Sequence, residues 1–121
     1  MRVLIAEDDA VSRHLLEATL QKWGYEVIVA SDGLQAVQKW SQTAFDLILM
    51  DVQMPGIDGF EAARRIRSQE AANETHTPIV AMTSRAMNGD RELCIEAGMD
   101  DYVSKPVSLD ALKRTLARYS S

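Results

Sequence analysis

Cysteine is nearly absent from this chain of 121 residues: Cys94 stands alone. No internal disulfide can form, and a reducing cytosol is the natural setting, so a cytoplasmic protein is expected. As a lone thiol in an otherwise helical stretch, Cys94 itself reads as a small buried apolar group. Long hydrophobic runs are missing too; none approaches the ~20 residues needed to cross a bilayer. Met1 to Ala6 run straight into Glu7-Asp8-Asp9, leaving no room for a signal peptide. Basic residues are outnumbered, 13 against 18 acidic, and the formal charge of −5 argues against direct binding to nucleic acid or anionic membranes. The one basic group, Arg64, Arg65 and Arg67, reads as a solvated helix face.

What is present is apolar content, 46% of the chain. One domain of this size, residues 1–121, buries roughly two-thirds of its unfolded surface and needs neither disulfide nor structural metal. The apolar residues alternate between strand and helix patterns. Val3 to Ala6 is a short strand run, followed by Val11, Leu15, Leu16, Thr19 and Trp23 at helical spacing until Gly24. Tyr25 to Ala30 is β-rich, and Asp32 with Gln35 resembles a capping box before Ala36, Val37 and Trp40. Asp46 to Met50 is a continuous apolar strand; Asp58 and Glu61 then cap reciprocally a helix that turns Phe60, Ala63 and Ile66 inward. Ser68 to Thr77 has no apolar period and is expected as a frayed helix end and surface loop. Pro78 to Met82 is a fourth buried run closed by Thr83, before a weaker helix with Leu93, Cys94 and Ala97 inward and Gly98 at its end. Tyr102-Val103 is a short fifth strand. Ser108 then caps a last helix whose Leu109, Leu112 and Leu116 share one stripe. Met82, Met87 and Met99 read as core or interface filling, and His14 and His76 as surface residues.

Five strand-helix units with right-handed crossovers predict an α/β fold: a doubly wound five-stranded parallel sheet, for which 2-1-3-4-5 is one strand order. Ligands in such sheets lie beyond the carboxyl ends of the strands. Here those ends carry Glu7, Asp8 and Asp9, then Asp51, Thr83 and Lys105. Asp9 could equally be a helix cap and stands outside the core site. Carboxylates gathered at one point repel by roughly 4 kcal/mol per pair at about 4 Å and an effective dielectric near 20, so a divalent cation is expected among them. An oxygen-only donor set suits magnesium, which keeps positions open for phosphate oxygens. Lys105 adds an ammonium and Thr83 a hydroxyl, which together make a place for a phosphoryl group with Asp51 able to act as nucleophile.

In these residues the chain resembles the receiver domain of two-component response regulators, over essentially its whole length. The matching residues are Glu7-Asp8, Asp51 with Met54-Pro55-Gly56 behind it, Thr83-Ser84, and Lys105-Pro106. The resemblance implies a flavodoxin-like (βα)5 receiver fold and a phosphorylation-controlled signalling function. It makes Asp51 the phosphoacceptor, charged from a phosphohistidine on a sensor histidine kinase or histidine phosphotransfer protein. Asp8, Asp51 and the Gln53 carbonyl would ligate magnesium, with Glu7 holding its waters. Lys105 would pair with Asp51, its bond to Pro106 being cis. Thr83 would swing to the phosphate and let Tyr102 turn inward, reshaping the face of the fourth helix, fifth strand and fifth helix for an unidentified output domain or protein. The exposed side of the first helix, with Arg13 and His14, would touch the kinase partner. Gln53 and Arg85 would flank the water approach and tune phosphate lifetime. The resemblance also admits a phosphorylation-dependent dimer.

A receiver is not an enzyme beyond catalysing its own phosphorylation and dephosphorylation. The alternative is a phosphohydrolase or phosphotransferase working through an aspartyl phosphate, which needs a second acid-base group and a substrate pocket that these short loops do not supply. A flavin-binding domain of the same topology would want hydroxyls and glycines after the first strand, where this chain has carboxylates. The start at Met1 favours an amino-terminal position, whereas the stretch from Thr83 to Tyr102 is similar to receivers of hybrid sensor kinases.

Overall fold

The computed structural model describes residues 1–84 and 89–120. Strand and helix alternate throughout: β1 (Arg2–Ala6), α1 (Ala10–Lys22), β2 (Glu26–Ala30), α2 (Gly33–Gln42), β3 (Leu47–Asp51), α3 (Gly59–Asn73), β4 (Ile79–Thr83), α4 (Arg91–Glu96), β5 (Asp101–Ser104) and α5 (Leu109–Tyr119). All strand pairs are parallel and the order is β2-β1-β3-β4-β5, as the alternating pattern predicts. β1, β3 and β4 are covered on both faces, which is why they read as unbroken apolar runs.

Side-chain alternation along each strand divides the core in two. Val3, Ile5, Leu47, Leu49, Val80 and Met82 face Leu20 of α1 and Leu112 and Leu116 of α5. Their neighbours Leu4, Ala6, Ile48, Met50, Ile79 and Ala81 face α2, α3 and α4 through residues such as Ala36, Phe60, Ile66 and Cys94. Among the described residues, four helices begin on a side-chain cap: Asp9, Asp32, Asp58 and Ser108 accept the N–H of Ser12, Gln35, Glu61 and Ala111. Gly24, at φ 93°, ends α1 in the left-handed region that a side chain disfavours.

Several local expectations change. Val11 and Leu15 are 77% and 66% exposed, because α1 rests on the sheet through Leu16, Leu20 and Trp23, at i, i+4 and i+7. Leu93 and Leu109 likewise face outward, leaving Cys94 buried on α4, with Ala97 just past its end, and Leu112, Thr115 and Leu116 buried on α5. Glu61 does not return a bond to its cap; its carboxylate takes Arg64 at 3.4 Å and Arg65 at 3.1 Å. Gln35 accepts the N–H of Ser31, one residue before the cap.

Helix α3 runs on to Asn73 despite lacking an apolar period, because polar bonds fix its last turns. Arg67 is no solvated charge: its guanidinium reaches Glu70 at 2.5 Å, Asp100 at 2.7 Å and the carbonyls of Thr77 and Gly98 at 2.8 Å. The buried Glu70 also accepts the Thr77 N–H. His76 is exposed and rests on Asp100. Met82 and Met99 are core residues; Met87 lies outside the described residues.

Candidate functional site

The carboxyl ends of β1, β3 and β5 meet at one point. Gly59 allows this on the β3 side: a Cβ there would stand 2.3 Å from the Asp51 carbonyl oxygen and 2.8 Å from the Val52 Cα, so α3 starts directly against the strand end. Asp51 is buried, and each of its oxygens is fixed. Oδ1 accepts the Gln53 N–H at 3.0 Å and Oδ2 accepts Lys105 Nζ at 2.8 Å. The same ammonium donates to Glu7 Oε1 at 3.0 Å. Lys105 enters from the end of β5, where its own N–H bonds the Thr83 carbonyl and its peptide bond to Pro106 is cis.

On the β1 side, Arg13 bonds back to the Glu7 and Asp8 carbonyls at 3.0 and 3.3 Å and holds the loop that presents both acids. Arg13 is thereby committed within the chain, while His14 is exposed. Asp9 is a helix cap, and its bonds from Ser12 hold its carboxyl below the ordinary value.

Glu7, Asp8 and Asp51 can each bring an oxygen within 4.8 Å of the others. Two are buried and Asp8 is exposed, so the trio is enclosed on one side and open on the other. Such a set fits a hard divalent cation such as magnesium, which takes one or two carboxylates and keeps other positions open. Gln53 is exposed at the same edge, in a cleft lined also by Asp8, Met54 and Asp58. Arg85 lies outside the described residues. Thr83 is buried, its hydroxyl donating to Asp90 at 2.5 Å, and Tyr102 is half-buried against the α3–α4 core.

Asp90 is legible only in the fold. In a helix-starting Gly-Asp-Arg-Glu context it resembles any cap, and nothing in the order of residues reveals a partner seven positions away. Burial pushes the Cys94 thiol up to about 11, with the nearby Asp90 charge adding to it. Cys94 is buried, as expected of a small apolar group.

Charge crowding leaves its mark on Glu7. Burial, then the bond with Asp51, push its carboxyl up to about 7, although Lys105 pulls the other way. Burial opposes the Lys105 ammonium, and its bonds to Asp51 and Glu7 outweigh this and raise it above the usual lysine value. The folded chain therefore keeps on Glu7 a proton that the unfolded chain releases near 4.5. Without metal, this group makes stability fall as the pH rises from its unfolded to its folded value, with no further loss above that window. In chelator at pH 8, Glu7→Gln is expected to be more stable than the parent by on the order of 2 kcal/mol, the gap closing toward pH 5. Urea midpoints at the two pH values measure it; an equal gap at both contradicts this account of the crowding.

A parallel doubly wound sheet that gathers three acids and a lysine at its carboxyl edge defines a class of α/β domain built for charged ligands. Within that class the chain belongs to the response regulator receiver domain family, whose model matches residues 3–117. It is 42% identical over 112 residues to the hybrid signal transduction histidine kinase I of Dictyostelium discoideum, covering 88% of this chain and 6% of that protein. Two further curated sensor-kinase relatives are spanned only to 12% and 13% of their length. Among solved structures it resembles the receiver domain of the sensor histidine kinase PA1611 from Pseudomonas aeruginosa, which has a magnesium ion coordinated in its active-site cleft. The TM-score is 0.88 at 42% identity, over 98% of this chain and 95% of that one. It also resembles the Saccharomyces cerevisiae Ssk1 receiver domain, crystallised with the histidine phosphotransfer protein Ypd1, with a TM-score of 0.92 at 32% identity over 98% and 88% of the chains. The chain is thus a receiver domain of phosphorelay signalling. No described helix is long and apolar enough to cross a membrane.

Proposed function

We propose that residues 1–121 act as one receiver domain whose Asp51 accepts a phosphoryl group from a phosphohistidine on a sensor histidine kinase or histidine phosphotransfer protein. The observation that carries this reading is the Asp51 carboxylate itself, buried beside Glu7 and Asp8 with one oxygen on the Lys105 ammonium and the other on a backbone N–H. An Asp51 oxygen bonds to phosphorus as the donor's phosphorus–nitrogen bond breaks, and the departing imidazole takes up a proton. Asp8, Asp51 and the Gln53 carbonyl would hold magnesium directly and Glu7 through water. The ion supplies charge neutralisation and alignment for the phosphoryl oxygens.

Lys105 keeps its place on Asp51 and offers its ammonium to the incoming oxygens. Thr83 donates its hydroxyl to the phosphoryl group, Tyr102 turns inward, and the face of α4, β5 and α5 changes shape for the output partner. That change can bring two copies together. The chain catalyses its own phosphorylation and dephosphorylation only, and the cytoplasmic setting expected from the lone Cys94 is part of the same reading. Exposed Leu15 lines a groove of about 440 Å³ that reaches Glu7 and Lys105, and Val11 stands exposed on the same helix, which supports α1 as the side from which an apolar partner surface approaches.

A phosphohistidine-loaded phosphotransfer protein, incubated with the chain, is expected to pass on its label in magnesium and not in chelator. The label should be lost in both acid and base, as an acyl phosphate is. Transferred label that survives either treatment is a different bond and contradicts the proposal.

A further inference from the structure

Asp90 is buried in a helical turn, Gly89–Asp90, that runs directly into α4. Its backbone angles are helical, φ −64° and ψ −28°, and its carboxylate makes no cap bond to an N–H of α4. Its Oδ2 instead accepts the Thr83 hydroxyl at 2.5 Å, with Asp90 and Thr83 only 6% and 1% exposed. A hydroxyl bonded to an ionised carboxylate is roughly twice as strong as a neutral pair, and burial strengthens it further. β4 alternation sets Thr83 on the side of Ile79 and Ala81, toward α4, so the bond to Asp90 links the strand end to that helix.

Asp90 also lines the cleft that holds Asp8, Gln53 and Asp58. A phosphoryl group on Asp51 would add about −1.5 to −2 charge at this edge. That charge attracts the Thr83 hydroxyl, whose single proton can go to the phosphoryl group only by leaving Asp90. Building on the reading of Asp51 as phosphoryl acceptor, we propose that Asp90 is the phosphoryl group's rival for the Thr83 hydroxyl. It is a latch that holds Thr83 and the start of α4 in the unphosphorylated arrangement and sets the threshold for switching. Asp90 is a positioning residue: it acts through Thr83. In a two-state switch, the free energy of a bond made only in the resting state is subtracted from the affinity for whatever selects the other state.

Beryllofluoride with magnesium, a phosphoryl mimic, tests this by calorimetric titration of the full chain. Asp90→Ala is expected to bind it about tenfold more tightly than the parent, and Asp90→Asn, which keeps a neutral acceptor, by a smaller factor. In a Thr83→Val background, where no hydroxyl remains to be contested, Asp90→Ala should change the affinity by less than about twofold. Thr83→Ser should restore the full effect. If Asp90→Ala fails to fold, Asp90→Asn carries the comparison. Binding by the parent with unchanged or weaker binding by both Asp90 variants overturns the latch alone, as does tightening that persists with Thr83→Val. No binding by the parent overturns the reading of Asp51 and the latch with it.

Discussion

Asp51→Asn is expected to end phosphoryl acceptance altogether. Given a small acyl phosphodonor and magnesium, the parent should label at one site while this variant stays at background. An amide of the same shape has no anionic oxygen to attack phosphorus, so the loss is of chemistry and not of form. The variant should fold normally, because Lys105 retains Glu7 as a partner at 3.0 Å and Gly59 still seats α3 against the strand end. Removing one of the crowded carboxylates also relieves repulsion, so its thermal midpoint without metal should not fall. Undiminished labelling of a folded Asp51→Asn protein would remove Asp51 from the centre of the account.

The second large effect is on the metal. Asp8 is the exposed member of the acidic trio, the one open to an arriving hydrated ion. Loss of a partner that only supports a metal ligand costs about 10–100-fold in affinity, and loss of a ligand should cost no less, so Asp8→Ala is expected to weaken magnesium binding by about 100-fold or more. Calorimetric titration measures this directly. Because an exposed acid contributes little packing, the metal-free stability of the variant should be unchanged or higher. Unchanged magnesium affinity would take Asp8 out of the site; a loss of affinity matched by a loss of metal-free stability would mark a folding defect instead.

Residues whose role is set by nearby partners and residues set by distant ones differ in how far sequence order reveals them. β1, β3 and β4 declared themselves because burial on both faces demands unbroken apolar runs, and Glu7, Asp8, Asp51, Thr83 and Lys105 all sit at strand ends, where parallel topology must bring them together. Local signals were also sound where one short bond decides the outcome, as at Asp32 and Ser108. They failed where the deciding partner is distant. Val11 and Leu15 fit a helical apolar stripe, but the sheet takes the neighbouring stripe of Leu16, Leu20 and Trp23. Arg67 resembled its solvated neighbours until Glu70, Asp100 and two carbonyls surrounded it. Asp90 resembled a cap, and only the folded chain brings Thr83 to it.

Borohydride reduction after labelling converts an aspartyl phosphate to homoserine, and peptide mass mapping then locates it. A single converted residue, Asp51, is expected in magnesium-treated protein and none in chelator. Conversion at another acid, or labelled protein with no converted residue, would contradict the assignment of Asp51.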